Sequence, residues 1–187
     1  MTEAESRERE AWRVWRAQTG DREALEELLK SVEAPLGRYV SRLVGGGSIA
    51  EDILQEVFFR IYRKLRWLRD PALFRPWAYR IATREAFKTL RRERRWSEQV
   101  RDEAVLHALP AADDGPRPSE LIERLPQLVA RLSPASRAVL LLHYLDELPI
   151  EEVAAVLGVS AGTAKSRLSY GLAGLRRVLA EEKQNKA

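Results

Sequence analysis

The chain has 187 residues, enough for one ordinary domain or two small ones, with 45% hydrophobic and 32% charged residues. It has no cysteine, which excludes disulfide frameworks, thiol catalysis and cysteine metal sites, and no apolar run near the roughly 20 residues that a membrane span needs. The net charge of +4 is a small difference between 32 basic and 28 acidic residues, so its distribution along the chain matters more than its sum. The acidic, polar start from Met1 to Glu10 is unlike a secretory leader; a protein of the reducing cytoplasm, neither secreted nor inserted in a membrane, is expected. Abundant Ala, Leu, Glu and Arg, with little strand-like alternation, predict an all-α fold.

The punctuation of the first half predicts four or five helices. Asp21 caps a helix to about Ser31, Pro35 restarts one to about Leu43, and Gly45-Gly46-Gly47 ends it before Ser48 caps the next. That helix reaches about Trp67. Ile53, Val57, Ile61 and Leu65 recur every four residues as a buried stripe. Asp52, Gln55, Glu56 and Phe59 form a second face, where acids and an amide surround an aromatic that the stripe does not require. This face suits docking of another protein; it also suits an ordinary amphipathic helix with Phe59 packed on a neighbour.

Asp70-Pro71 is a further start signal, and Pro76 is expected to begin a long basic helix. From Arg75 to Arg95 there are eight basic residues against Glu85 and Glu93, interleaved up to Trp96 with five aromatics counted from Phe74. Aromatics stack on unpaired bases while Arg and Lys hold the backbone, so this mixture fits melted rather than intact duplex. Trp77, Ile81, and Phe87 or Leu90 are expected to face inward, with Arg80, Arg84, Lys88, Arg91 and Arg92 outward. A basic helix that only packs is the competing reading.

Residues 97–119 are the expected linker: Pro110, Gly115, Pro116 and Pro118 interrupt any helical period, and paired acids crowd the stretch. One helical domain is placed at about 8–96 and a second at about 120–183. In the second, a short helix carrying Val153, Ala154 and Leu157 ends at Gly158, and Ser160 caps another. This is helix-turn-helix grammar, with small Ala154 allowing a close crossing. Ala164, Leu168, Leu172, Leu175 and Leu179 give the second helix its buried stripe. Lys165, Ser166, Ser169 and Tyr170 are left exposed, Arg167 lies at the edge, and Ser160 and Thr163 stand at the start; together they are the candidate duplex-reading residues. A helical hairpin that merely packs carries the same pattern.

On these residues alone a stand-alone helix-turn-helix regulator stays open. An enzyme has little to draw on: His107 and His143 are isolated, there is no phosphate-cradling glycine loop, and carboxylates are scattered. No catalytic residue, metal ligand or cofactor is assigned.

The chain from about Gly20 to Leu179 resembles the extracytoplasmic-function sigma factors of the sigma-70 family. Ala50-Glu51-Asp52-Ile53-Leu54-Gln55-Glu56-Val57-Phe58 is similar to region 2.2, and Phe74 to Arg95 to regions 2.3 and 2.4. Leu157-Gly158-Val159-Ser160 and Gly162-Thr163-Ala164-Lys165-Ser166-Arg167-Leu168 are similar to region 4.2. The resemblance implies a region 2 bundle and a region 4 helix-turn-helix joined by a flexible linker. It implies that Asp52, Gln55, Glu56 and Phe59 bind the clamp helices of core RNA polymerase, with the flap as a further contact. Trp77, Arg80, Arg84, Lys88, Arg91 and Arg92 would engage the −10 promoter element, and Ser160, Thr163, Lys165, Ser166, Arg167, Ser169 and Tyr170 the −35 element. An anti-sigma factor is the implied regulator. Two departures stand out: Arg84 and Lys88 occupy positions where relatives carry Asn or Asp, and Ser169-Tyr170-Gly171 replaces a common Arg-Ala-Arg. Gly171 and Gly174 each carry a helix-interior cost of up to about 1 kcal/mol.

Overall fold

The first helix of the computed structural model, which describes residues 3–92 and 128–184, is α1, Glu3–Gln18. Three contacts tie it down. Val14 is fully buried, Glu10 accepts a 2.8 Å bond from Arg75 Nε, and the Gln18 amide donates to the carbonyls of Leu65 and Leu68 at 2.9 and 2.8 Å.

Asp21 does start α2, Arg22–Val44, its carboxylate accepting from Ala24 N at 3.0 Å. The helix does not restart at Pro35 but runs through it. An interior proline costs about 3 kcal/mol, whereas each fully buried Leu or Val contributes about 1.5–3 kcal/mol. Leu28 and Val32 lie before Pro35 and Leu36, Val40 and Leu43 after it, all buried on one continuous stripe, so burial outweighs the missing bond. The triple glycine ends α2 as expected, with φ of 94°, 78° and 75°. These three left-handed residues also take over the next start: Gly47, not Ser48, stands at the cap of α3, Ser48–Lys64, and no side chain caps it.

Two 3-10 turns, Leu65–Trp67 and Pro71–Leu73, join α3 to α4, Phe74–Arg92. Asp70 caps the second turn through Ala72 N at 3.0 Å. Pro76 falls in the first turn of α4 rather than before it, where its missing N–H costs nothing. The inward face of α4 also differs from expectation. Phe74, Ala78, Ala82, Ala86 and Leu90 make the stripe, with Tyr79, Thr83 and Glu85 buried beside it, while Trp77, Ile81 and Phe87 are only half-buried. The alanines let α4 close onto α2 and α3, which leaves the larger side chains at the rim.

The expected linker, 97–119, lies outside the described residues. In the second module, a 3-10 turn at Val129–Arg131 precedes α5, Pro134–Leu140, which is capped by Ser133. A π-helical turn, Leu141–Leu145, leads through Glu147, at φ 55°, to α6, Ile150–Leu157, and α7, Ala161–Gln184. The described residues form helices, turns and loops, an all-α fold of two helical modules.

The modules pack on each other, α4 against α6 and α2 against α5 and the π-helical turn. Arg137 joins them. Its Nη1 donates to Leu43 O at 2.7 Å, and its other nitrogens reach the carbonyls of Val129, Ala130 and Leu132 at 2.7–2.9 Å. Burial alone pulls its guanidinium down to a pKa of about 10. Beside it, Thr83 Oγ1 donates to Tyr79 O and is bonded by Tyr39 OH, while Tyr79 OH donates to Asp146 Oδ1 at 2.6 Å.

Candidate polymerase and nucleic-acid interfaces

The stripe of Ile53, Val57, Ile61 and Leu65 is buried, which turns the opposite side of α3 outward. Asp52, Gln55 and Phe59 are exposed there; Glu56 is half-buried, because Arg60 Nε holds it at 2.6 Å and reaches buried Glu85 at 3.2 Å. The face changes sign along its length. Its first half carries Glu51, Asp52 and Glu56, its second Arg60, Arg63 and Lys64, and Arg66 follows in the next turn.

The second half holds aromatics that the sequence reading passed over. Tyr62 and Trp67 are 61% and 70% exposed, and Phe59 is 52% exposed. The Arg63 guanidinium lies 5.4 Å from the Phe59 ring centre and that of Arg66 4.8 Å from the Trp67 ring centre, both within cation–π range. Spacing held the signal: Tyr62, Arg63 and Arg66 continue the i+3, i+4 series from Phe59. Trp67, Phe59 and the rim residue Trp77 of α4 line, with Glu56, Arg60, Arg63, Lys64 and Arg66, an open cavity of about 450 Å³. Aromatic walls with cations at the rim are what an unstacked base and its phosphates require.

Along α4, Arg80, Arg84, Lys88, Arg91 and Arg92 are exposed on an outward ridge, as expected. Glu85, buried at the foot of the ridge, pairs with Lys88 at 3.7 Å and so offsets part of its charge. Trp77, tilted against Phe74 at 6.2 Å, belongs to the cavity rather than to the interior expected for it.

In the second module, Gly158 takes φ 68° at the end of α6, and Ser160 Oγ accepts from Thr163 N at 3.1 Å to start α7. Ser160, Thr163, Lys165, Ser166 and Ser169 are exposed, and Arg167 and Tyr170 half-buried. Lys165 pairs loosely with Glu151 at 3.7 Å, both well exposed. On the inner side Ala164 and Leu175 are buried, Leu179 nearly so, and Leu168 and Leu172 half-buried. Gly171 and Gly174 are buried too, and their cost has a reason: an added Cβ would stand 2.8 Å from Leu140 Cδ1 and 2.6 Å from Leu132 Cδ2. They let α7 lie close against α5 and the turn before it.

The outward ridge of α4 comes up to the turn between α6 and α7, with Arg80 Nη2 4.0 Å from where a Cβ on Gly158 would be. Among the described residues no three His, Asp or Glu side chains gather as a metal site, and no helix is long and apolar enough to cross a membrane.

Residues 28–96 match the family model for sigma-70 region 2, and residues 122–173 that for sigma-70 region 4. The chain is 28% identical over 177 residues to the ECF RNA polymerase sigma factor SigW of Bacillus subtilis, covering 89% of this chain and 95% of SigW. It is 33% identical over 179 residues to the ECF RNA polymerase sigma factor SigE of Mycolicibacterium smegmatis, covering 90% and 68% of the two chains. It is 32% identical over 165 residues to the ECF RNA polymerase sigma-E factor of Escherichia coli K12, covering 83% and 86%. Among solved structures, CnrH in complex with the cytosolic domain of CnrY shares the fold, with a TM-score of 0.68 at 21% identity over 92% of this chain and 97% of that one. So does RpoE of Bartonella quintana in complex with the anti-sigma factor NepR, with a TM-score of 0.62 at 21% identity over 83% and 96%. This chain belongs to the extracytoplasmic-function RNA polymerase sigma factors of the sigma-70 family.

Proposed function

We propose that this sigma factor divides its work among the three surfaces, with residues 8–96 and 120–183 as its two working domains and 97–119 as their linker. The acidic half of the α3 face with the adjoining Phe59, that is Asp52, Gln55, Glu56 and Phe59, docks on the clamp helices of core polymerase, and the second module meets the flap. Trp77 and the ridge of Arg80, Arg84, Lys88, Arg91 and Arg92 hold the melted −10 strand, the base entering the cavity between Trp67 and Trp77. Ser160, Thr163, Lys165, Ser166, Arg167, Ser169 and Tyr170 read the −35 major groove. The role is non-catalytic and cytoplasmic: the protein supplies specificity and leaves synthesis to the polymerase.

The observation that carries this reading is the pairing on one chain of an exposed polar face at the start of α7 with a separate basic, aromatic-walled cavity. One surface fits duplex and the other unpaired bases, which a regulator reading duplex alone does not need. Elements centred 25 positions apart lie about 85 Å apart along B-DNA. The 35 residues from 93 to 127, extended, reach about 120 Å. Side-by-side modules therefore separate on the promoter, and each strengthens the other's binding through the tether.

RpoE of Bartonella quintana is held by the anti-sigma factor NepR; for this chain a comparable inhibitor covering both modules is proposed. The test is reconstitution. Purified protein is expected to co-elute with core polymerase, to bind promoter duplex poorly alone, and to direct core enzyme to a defined promoter set in a genome-wide run-off assay. Run-off transcription indistinguishable from core enzyme alone would overturn the reading.

A further inference from the structure

A chain of four charges crosses from α3 to α4. Glu56 and Arg60 stand at i, i+4 on α3, and Glu85 and Lys88 at i, i+3 on α4. Arg60 Nε lies 2.6 Å from Glu56 Oε1 and 3.2 Å from Glu85 Oε1, while Glu85 Oε2 lies 3.7 Å from Lys88 Nζ. A guanidinium Nε carries a single hydrogen, and here it is donated to Glu56. Glu85 therefore takes charge from that nitrogen but not its hydrogen bond. The two acids differ in what they can give up. The Glu56 side chain is 44% exposed, so water or a partner can replace Arg60, whereas that of Glu85 is 11% exposed and depends on its two cations.

We propose that Glu85 is a positioning residue through which the α3 docking face and the α4 ridge act on each other. The inference rests on the reading of those two surfaces as the polymerase and −10 contacts. A basic partner that takes Glu56 frees the Arg60 N–H to turn to Glu85. Held from α3, Glu85 then loosens its grip on Lys88, whose ammonium is released to a phosphate. The link runs both ways, because a coupling free energy belongs equally to its two sites. A strand that draws Lys88 away leaves Glu85 to Arg60, and Glu56 becomes available to polymerase. Arg60, with two carboxylates competing for one N–H, is the element with two arrangements that both surfaces bias.

The test begins with the affinity of the full chain for core polymerase in the absence of DNA. Lys88 lies on the ridge and not on the docking face. Lys88→Ala should nevertheless tighten core binding about threefold, the scale of one half-exposed ion pair, because Glu85 then claims Arg60 and Glu56 is freed. Arg69→Ala, which removes an equal charge from an exposed position in the same module, should leave it unchanged. Glu85→Gln should weaken core binding by about the same factor, since Arg60 then stays on Glu56, and Lys88→Ala should have no further effect in that background. The reciprocal measurement needs no change at a buried position, so it stands even where Glu85→Gln fails to fold. Glu56→Gln should raise the affinity of the free chain for a fluorescein-labelled oligo(dT) strand about threefold, a gain that Glu51→Gln does not give and that is absent in a Lys88→Ala background. Lys88→Ala and Arg69→Ala shifting core affinity alike, or Glu56→Gln and Lys88→Ala acting additively on strand binding, overturns the coupling alone. Undiminished core affinity in Asp52→Asn and Glu56→Gln would instead strike the docking reading, and the coupling with it.

Discussion

Tyr79 of α4 donates a 2.6 Å hydrogen bond to Asp146, 67 residues away, and so ties α4 to the segment that precedes α6 and α7. Burial holds the Asp146 carboxyl above its ordinary value of 3.8, against the opposing pull of the Tyr79 bond and of Arg38 and Arg42. The folded chain thus binds this proton more tightly than the unfolded one. Its contribution to stability is complete below about pH 3.8 and is lost as pH rises through the raised value. Asp146→Asn keeps an acceptor for Tyr79 and removes the titration. Urea unfolding at a series of pH values should show that component of the slope vanish, with no loss of stability at pH 7.

Breaking the tie is expected to loosen the modules. Tyr79→Phe leaves a half-buried carboxylate without its donor, at a cost of about 1–3 kcal/mol. Small-angle scattering of the free variant should give a larger radius of gyration than the wild type, while Asp146→Asn should not. Equal radii for all three proteins would show that other contacts hold the modules together.

Arg137 satisfies four carbonyls from one buried guanidinium, one of them in the other module. Arg137→Met fills similar space but orphans the acceptors, so a loss of at least about 3 kcal/mol in unfolding free energy is expected. Arg137→Lys should recover only part of it, because an ammonium cannot reproduce the planar fork.

The buried glycines of α7 separate propensity from packing. Alanine at either position gains up to about 1 kcal/mol of helix propensity. Gly171→Ala would press on Leu140 at both Cδ1 and Cγ, 2.8 and 3.1 Å away, where Leu140 is fully buried and has no room to give. A net destabilisation of about 1–2 kcal/mol is expected. Gly174→Ala meets only one methyl of Leu132 within 3 Å, at the edge of the core, and should cost less. Thermal unfolding of the two variants beside the wild type checks the order.

On α7, Lys165→Ala removes a weak exposed pair and should leave the melting temperature unchanged. As one of the proposed −35 contacts, Lys165 should, when replaced by alanine, weaken holoenzyme binding and lower its salt dependence by about one unit of slope. Ser166→Ala and Ser169→Ala should instead re-rank −35 sequences, by about 1–3 kcal/mol at one position, in a promoter-library selection.

The stripe of Ile53, Val57, Ile61 and Leu65, the breaks at Gly45 to Gly47 and Gly158, the caps at Asp21 and Ser160, and the outward ridge from Arg80 to Arg92 all follow from interactions within one or two helical turns. Such periods and caps are complete in the local sequence, so the all-α fold and the outward faces of α3, α4 and α7 needed no partner to specify them. Pro35, the inward turn of Tyr79 and Thr83, the rim position of Trp77, and the buried places of Glu85, Arg137, Gly171 and Gly174 were decided by tertiary packing. Four of them depend on an atom supplied from another element: Leu43 O for Arg137, Asp146 for Tyr79, Leu140 for Gly171, Arg60 for Glu85. No local period encodes a partner up to 94 residues away. It is packing density and the satisfaction of buried polar groups, both properties of the assembled helices, that choose among the faces local spacing allows.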